Sequence, residues 1–214
     1  MNPVLHHYIA GLEFSGDLFL DVEKLFNKHN AEATWVHCTR VAHEAKALAL
    51  QFHADPVVAE RAGWLHDIGT IIPNEDKVAV AQALHIPILE EELAFPYILH
   101  QKLSREMTIQ IFGRTDAVLL DAIECHTTLR KSMSLLDKIL FIGDKLSWDQ
   151  AHAAPFLQEI RKSVNNHLLD EAIMIYFNHV WSNKEKMKVV HPWLLAARQS
   201  LLKEPEGAVT DLFE

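Results

Sequence analysis

Apolar residues recur every three or four positions along most of the chain, and no stretch alternates convincingly with period two, so the pattern predicts an all-helical fold. Leu18, Val22, Leu25 and Phe26 mark a helix over residues 17–28 with Asp17 as its cap. Val41, Ala45, Leu48 and Phe52 mark a long one, from a Thr34 cap to about His53. Asp55-Pro56 combines a capping carboxylate with proline at the first helical position. That helix carries Val58, Ala62 and Leu65 inward, with Gly69 as its exit. Asn74 is the expected cap of the next, which buries Val78, Ala81 and Leu84. Pro87 opens a short segment ending near Phe95. Pro96 starts a helix through His100 to Phe112, closed by Gly113. Thr115 opens another that runs from Asp116 to about His126. Ser134 caps a strongly apolar helix through Leu135, Ile139 and Ile142. Residues 152–180 form one long helix or two, and Pro192 starts a last short one over 193–202. Residues 1–16 are indistinct. Residues 1–204 therefore read as one helical domain with its motifs in 34–150. Residues 205–214 read as a loose tail, although Leu212-Phe213 could dock.

A chain of 214 residues with 49% apolar content buries a core without staples. Two cysteines are too few for a disulfide framework. The first residues show no basic start and no apolar run, and no apolar stretch reaches membrane-spanning length, so the cytoplasm is the expected compartment, with no membrane partner. A formal charge of −9 argues against binding a nucleic-acid polymer, though not against a nucleotide held by metals. The late aromatics Trp148, Trp181, Trp193, Phe156 and Tyr176 read as core or homodimer contacts rather than base-stacking platforms.

Histidine, at 14 copies, changes the picture. His66-Asp67 closes one apolar helix. His37, His100, His126 and Asp144 each interrupt an apolar neighbourhood, with Asp121 an outsider to the set. Desolvated imidazoles and carboxylates need partners. Taken singly, each also fits a satisfied core histidine, a helix-end turn or an ion pair. Facing one point, four His and two Asp would suit iron, manganese, cobalt or zinc better than magnesium alone. Both readings stand open on spacing. His6 and His7 read as surface residues, and His167, His179 and His191 as structural or solvent-facing. The chain has no nucleophile elbow and no glycine-rich phosphate loop.

Several segments resemble the HD-domain metal-dependent phosphohydrolase superfamily, and more narrowly the bacterial YqeK-type symmetrical diadenosine-tetraphosphate hydrolases. They are His37-Cys38-Thr39-Arg40-Val41, Ala62 to Gly69 with its His-Asp pair, Leu99-His100, Ala122 to Thr128, Met133 to Ile139, and Ile142-Gly143-Asp144-Lys145. The resemblance implies an all-α HD-domain bundle with additional C-terminal helices. It implies two divalent or mixed-valence metal ions, iron first and manganese, cobalt or zinc as alternatives. His37, His66, Asp67 and Asp144 would hold one ion, with Asp67 bridging to a second bound by His100 and His126. Catalysis would rest on Asp67 with Lys145 and Arg40, and the substrate would be a nucleotide or dinucleoside polyphosphate split by activated water. Four positions depart from the family pattern: Thr70 stands where lysine is usual, Leu129 and Gln101 where glycine is common, and Gly143 where alanine is. Loss of a lysine removes charge that would stabilise a transferring phosphoryl group; Arg40, Arg105, Arg130, Lys131 or Lys145 could replace it. Two other readings compete: a nucleoside-monophosphate phosphatase or other phosphoester hydrolase on the same ions, and a metal- and nucleotide-binding regulatory protein with little turnover.

Overall fold

Side chains that can accept a backbone N–H decide where most helices begin. The computed structural model describes residues 1–148 and 154–203. Its described helices are α1 (His6–Ile9), α2 (Leu18–Lys28), α3 (Glu32–Gln51), α4 (Pro56–Leu65), α5 (Lys77–Ala83), α6 (Glu90–Ala94), α7 (His100–Phe112), α8 (Ala117–Cys125), α9 (Leu135–Leu146), α10 (Pro155–Asn165), α11 (Leu169–Ser182) and α12 (Pro192–Lys203). Asp17 caps α2 by accepting from the Leu20 amide, Asp55 caps α4 through the Val57 and Val58 amides, and Asp116 caps α8 through those of Val118 and Leu119. Ser134 and Asp137 satisfy one another's backbone amides at the start of α9, a reciprocal capping box. No strand occurs among the described residues, and no described helix is long and apolar enough to cross a membrane.

Several boundaries differ from the expected ones. Helix α3 begins at Glu32, ahead of Thr34, with Ala31 at its cap position and no side-chain bond there. Asn74 does not cap α5; the amides of Asp76 and Lys77 both turn back to the Pro73 carbonyl, which moves the start to Lys77. Gly69 is not the exit of α4, which stops at Leu65, but lies in a tight 3-10 turn, Ile68–Ile71. A side chain there would run into the His100 carbonyl and within 2.8 Å of the Ser104 amide, so glycine lets this turn press against α7. The 152–180 stretch divides into α10 and α11, where His167 takes a left-handed backbone at φ 61°. The expected tail, including Leu212 and Phe213, lies outside the described residues.

Helix α3 is the axis of the bundle and packs against α4 and α9. Its Ala42 faces Gly63 and its Ala45 faces Gly143, so small residues let three helices approach closely. Val41, Ala45, Leu65, Leu99, Ile123, Ile139 and Phe141 are all fully buried around this axis. Helices α10 and α11 pack on each other and against α9. The consequence for function is geometric: the second turn of α3, the end of α4, the start of α7, the end of α8 and the last turns of α9 converge.

Candidate metal centre

The converging ends deliver His37 from α3, His66 and Asp67 from just beyond α4, His100 from the first position of α7, His126 from just beyond α8, and Asp144 from α9. Two groups of side chains could each hold an ion: His37, His66 and Asp67, and Asp67, His100 and His126, with ligand atoms all within 4.8 Å of one another in each. Asp67 belongs to both. Its Oδ1 lies 3.3 Å from His100 Nε2 and 3.4 Å from His126 Nε2, and its Oδ2 lies 3.5 Å from His66 Nε2. Asp144 stands on the other flank, its Oδ1 3.0 Å from His37 Nε2 and 3.9 Å from His66 Nε2. All six expected ligands are thus brought together, whereas Asp121 is held away in an ion pair with Arg130.

Three of the rings are fixed in one tautomer by the helix ends that carry them. His66 Nδ1 lies 2.8 Å from the Gly63 carbonyl, His100 Nδ1 2.6 Å from that of Tyr97, and His126 Nδ1 2.8 Å from that of Ile123. A carbonyl only accepts, so each Nδ1 is the protonated nitrogen and each Nε2 of a neutral ring turns a lone pair inward. This is the arrangement by which proteins orient histidines toward metal. It leaves His100 Nε2 and His126 Nε2 facing each other at 3.1 Å. Two lone pairs at that separation repel unless a cation or proton lies beside them. His66 Nε2 and Asp67 Oδ1 are buried without a hydrogen-bond partner, an expensive condition for polar atoms. Orphaned inward donors, mixed imidazole and carboxylate, fit a pair of first-row divalent ions.

Burial would raise both carboxyl groups. For Asp67 the surrounding His66, His100 and His126 overcome it and hold the acid well below the usual range. For Asp144 the Lys145 ammonium and the His37 bond do the same. His126 moves the opposite way from His37: burial lowers it to about 4, whereas His37, although burial opposes its charge, is raised by its bond to Asp144. Lys145 is itself buried, 2.6 Å from Asp144 Oδ2, and its ammonium lies over the rings of Phe141, Trp148 and Tyr176. Arg40 lines an open cleft of about 450 Å³ with His43, Ser147 and Trp148. The cleft also includes Glu44. Arg130 pairs with Asp121 and Asp137, and Arg105 approaches Glu124.

Sequence reasoning missed the supports behind these residues. The Gln101 side chain accepts from the Thr127 amide and reaches Thr128 Oγ1, tying α7 to the turn after His126. Thr127 Oγ1 lies 3.1 Å from His100 Nε2. Glu92, Lys102 and His191 form a buried charged cluster joining α6, α7 and the approach to α12. Lys77 is buried with its Nζ on the Ile72 carbonyl, and burial lowers it to about 8. Only the exception of an ionic residue inside an apolar helix stripe could have flagged Lys77 or Lys102.

The HD domain family model matches residues 34–149, which contain every residue of both groups. An uncharacterized protein in the pepC 5′ region of Lactococcus lactis subsp. cremoris is 41% identical over 140 residues, covering 65% of this chain and 70% of that one. The symmetrical bis(5′-nucleosyl)-tetraphosphatase of Bacillus subtilis is 28% identical over 163 residues, covering 75% and 85% respectively. Among solved structures, a predicted HD superfamily hydrolase involved in NAD metabolism from Clostridium acetobutylicum superimposes with a TM-score of 0.78 at 27% identity, over 89% of this chain and 98% of that one. With the family match spanning more than half of its length, the chain belongs to the HD domain family and is an HD-domain hydrolase.

Proposed function

We propose that this protein is a metal-dependent phosphohydrolase that opens a phosphoanhydride of a dinucleoside polyphosphate, splitting diadenosine tetraphosphate symmetrically into two molecules of ADP. The observation that carries the reading is the pair of His/Asp groups sharing Asp67, with imidazole Nε2 atoms turned inward. Relatives in Bacillus subtilis and Staphylococcus aureus bear the name of that activity, which supports the choice of substrate. Two ions held there, iron first and manganese, cobalt or zinc as alternatives, would polarise a phosphoryl oxygen and supply a nucleophile from water near neutral pH.

The chain's own residues set the geometry. The carbonyls of Gly63, Tyr97 and Ile123 accept from Nδ1 of His66, His100 and His126 and so aim each Nε2 inward. Asp67 is the shared anion, kept ionised by its imidazole neighbours. His37 and Asp144 close one flank, and Lys145 balances the charge of Asp144 so that this acid stays ionised while buried. Arg40, in the cleft beside α9, offers charge to the phosphate chain where Thr70 offers none. Thr70 instead donates its hydroxyl to the Asp67 carbonyl at 2.6 Å. That observation favours a second reading, a nucleoside-monophosphate phosphatase, whose substrate carries less charge to neutralise.

The test is a screen of metal-reconstituted protein against dinucleoside polyphosphates, nucleoside mono-, di- and triphosphates and cyclic nucleotides, with every product identified. ADP as the sole product from diadenosine tetraphosphate is the expected result. AMP with ATP, or turnover of monophosphates alone, would overturn the symmetrical assignment.

A further inference from the structure

The family match ends at residue 149, yet the wall beside the metal centre continues beyond it. A cleft of about 240 Å³ runs between Tyr97 and Thr127, both in contact with His100, and Tyr176, Val180 and Met187 opposite. A second cleft, of about 320 Å³, shares Tyr176, Val180 and Met187 and is lined besides by Trp148, Phe156, His179, Asn183 and Lys186. The two adjoin at Tyr176, Val180 and Met187, one beside His100 and the other walled by flat rings, and each is near the size of a small-ligand site. The His179 ring already lies flat on Phe156, centroids 3.8 Å apart and 12° from parallel, so stacked heterocycles suit this wall. Trp148 is 38% exposed and Tyr176 half-buried, so these rings edge an opening and do not fill the core.

Charge follows the same line. In a chain of net charge −9, three lysines fall within the five residues Lys184 to Lys188, and all three are exposed. Lys186 lines the ring-walled cleft and Lys188 the one leading to the histidines. Aromatic faces take any base by stacking, and cations beside them take the attached phosphates.

We propose that the joined clefts are the subsite for one nucleoside diphosphate half of the substrate, its base among Trp148, Phe156 and His179 and its phosphates passing Lys186 and Lys188 toward the metal centre. The proposal rests on reading that centre as acting on nucleotides. It draws substrate selection largely from α10, α11 and the segment before α12, beyond the family-matched residues, which contribute Tyr97, Thr127 and Trp148.

Two variants test it in the full-length, manganese-loaded protein. Val180→Trp fills the wall common to both clefts, and Lys186→Glu with Lys188→Glu reverses exposed charge without touching the core. Dissociation constants for ADP and for inorganic pyrophosphate are measured by equilibrium dialysis, beside urea midpoints and KM for the best substrate. Val180→Trp is expected to weaken ADP at least fivefold while pyrophosphate stays within twofold, and the lysine pair to weaken ADP at least fivefold at an unchanged urea midpoint. A smaller effect on ADP from the lysine pair, or from a folded Val180→Trp, overturns the subsite, as does an equal loss of pyrophosphate in Val180→Trp. Hydrolysis by wild type with KM unchanged in both variants removes the subsite and leaves the hydrolase reading. ADP binding that depends on Val180 in a protein hydrolysing no phosphoanhydride does the reverse.

Discussion

Two glycines on either side of α3 should respond oppositely to the same substitution. A Cβ at Gly63 would land on Ala42 Cα and 2.5 Å from the Ala42 amide nitrogen, both backbone atoms of a neighbouring helix. Ordinary contact begins near 3.4 Å, so α3 and α4 would have to part by about 1 Å. Overpacking typically costs about 1–3 kcal/mol, and with backbone on both sides the upper value applies, about 3 kcal/mol. For a chain of this size that is a fall in Tm of roughly 6–12 °C, or about 1 M in urea midpoint. The same Cβ at Gly143 would sit 3.4 Å from the Ala45 nitrogen and 3.6 Å from its Cβ. Gly143→Ala should therefore be neutral, or stabilise by up to about 1 kcal/mol through helix propensity. The site reports the difference a second time. His37 is carried by α3, while the Gly63 carbonyl fixes His66, so a 1 Å displacement exceeds the roughly 0.2 Å tolerance of ligand distances. Urea titration of metal-free protein, followed by elemental analysis after reconstitution, should find Gly63→Ala destabilised and short of metal, with Gly143→Ala normal in both. Equal midpoints and equal metal content in the two variants would refute the argument.

Asp67→Ala should empty or scramble both ion positions, and full metal content by elemental analysis would contradict its shared role. His126→Ala should lower metal content by about half, sparing the group around His37. Lys145→Ala should leave the buried Asp144 with His37 as its remaining close partner, a cost of up to about 3–5 kcal/mol for a broken buried pair, and slow turnover more than it lowers metal content; unchanged rate constants would remove it from the site. In metal-free protein His37 and His126 should titrate apart. His37, raised, stabilises the fold fully below its unfolded value of 6.5, and that contribution is lost as pH climbs through its raised midpoint. His126, lowered to about 4, makes the native state refuse a proton that the unfolded chain accepts, so stability drops as pH falls from 6.5 toward about 4. Ring-proton NMR should resolve the two midpoints on opposite sides of 6.5; coincident curves would refute both assignments.

The helices were legible where a side chain does two jobs in view of the sequence. Asp55 before Pro56, Asp116 before an apolar run, and Ser134 three residues before Asp137 are caps whose partners lie within one turn. Thr34 and Asn74 failed because backbone geometry outside that window chose the start: Ala31 begins α3 without a side-chain bond, and Pro73 gathers two amides ahead of α5. Gly69 failed for a longer-range reason, since the contact that demands glycine comes from His100 and Ser104, thirty-odd residues away. The six inward His and Asp were legible as polar interruptions of apolar stripes. Their tautomers were not, because the Nδ1 bonds depend on where each helix ends. The buried Glu92–Lys102–His191 cluster was invisible, since His191 lies 99 residues from its acid.

The four departures from the resembling family take on a common meaning once placed. Gly143 faces Ala45 and concerns how closely α9 meets α3. Gln101 braces the turn carrying His126, with its side chain on Thr127 and Thr128. Leu129 is the telling case. It adopts φ 56°, a left-handed backbone where glycine costs nothing and an L side chain about 1–2 kcal/mol. Its side chain is nonetheless fully buried, which returns about 1.5–3 kcal/mol for leucine. The substitution is thus a trade within the core, with backbone strain offset by apolar burial, and it leaves the Thr128 hydroxyl donating to the Leu129 carbonyl at 3.0 Å. Three departures therefore sit behind the histidines and carboxylates, adjusting packing around them. Thr70 alone removes a charge from the pattern, and its hydroxyl is committed to the Asp67 carbonyl. If the phosphate chain of a dinucleotide is held here, the compensating cations have to come from outside the family's usual position. Arg40 beside α9 and the lysines of 184–188 beside α11 are the exposed or cleft-lining groups placed to supply them.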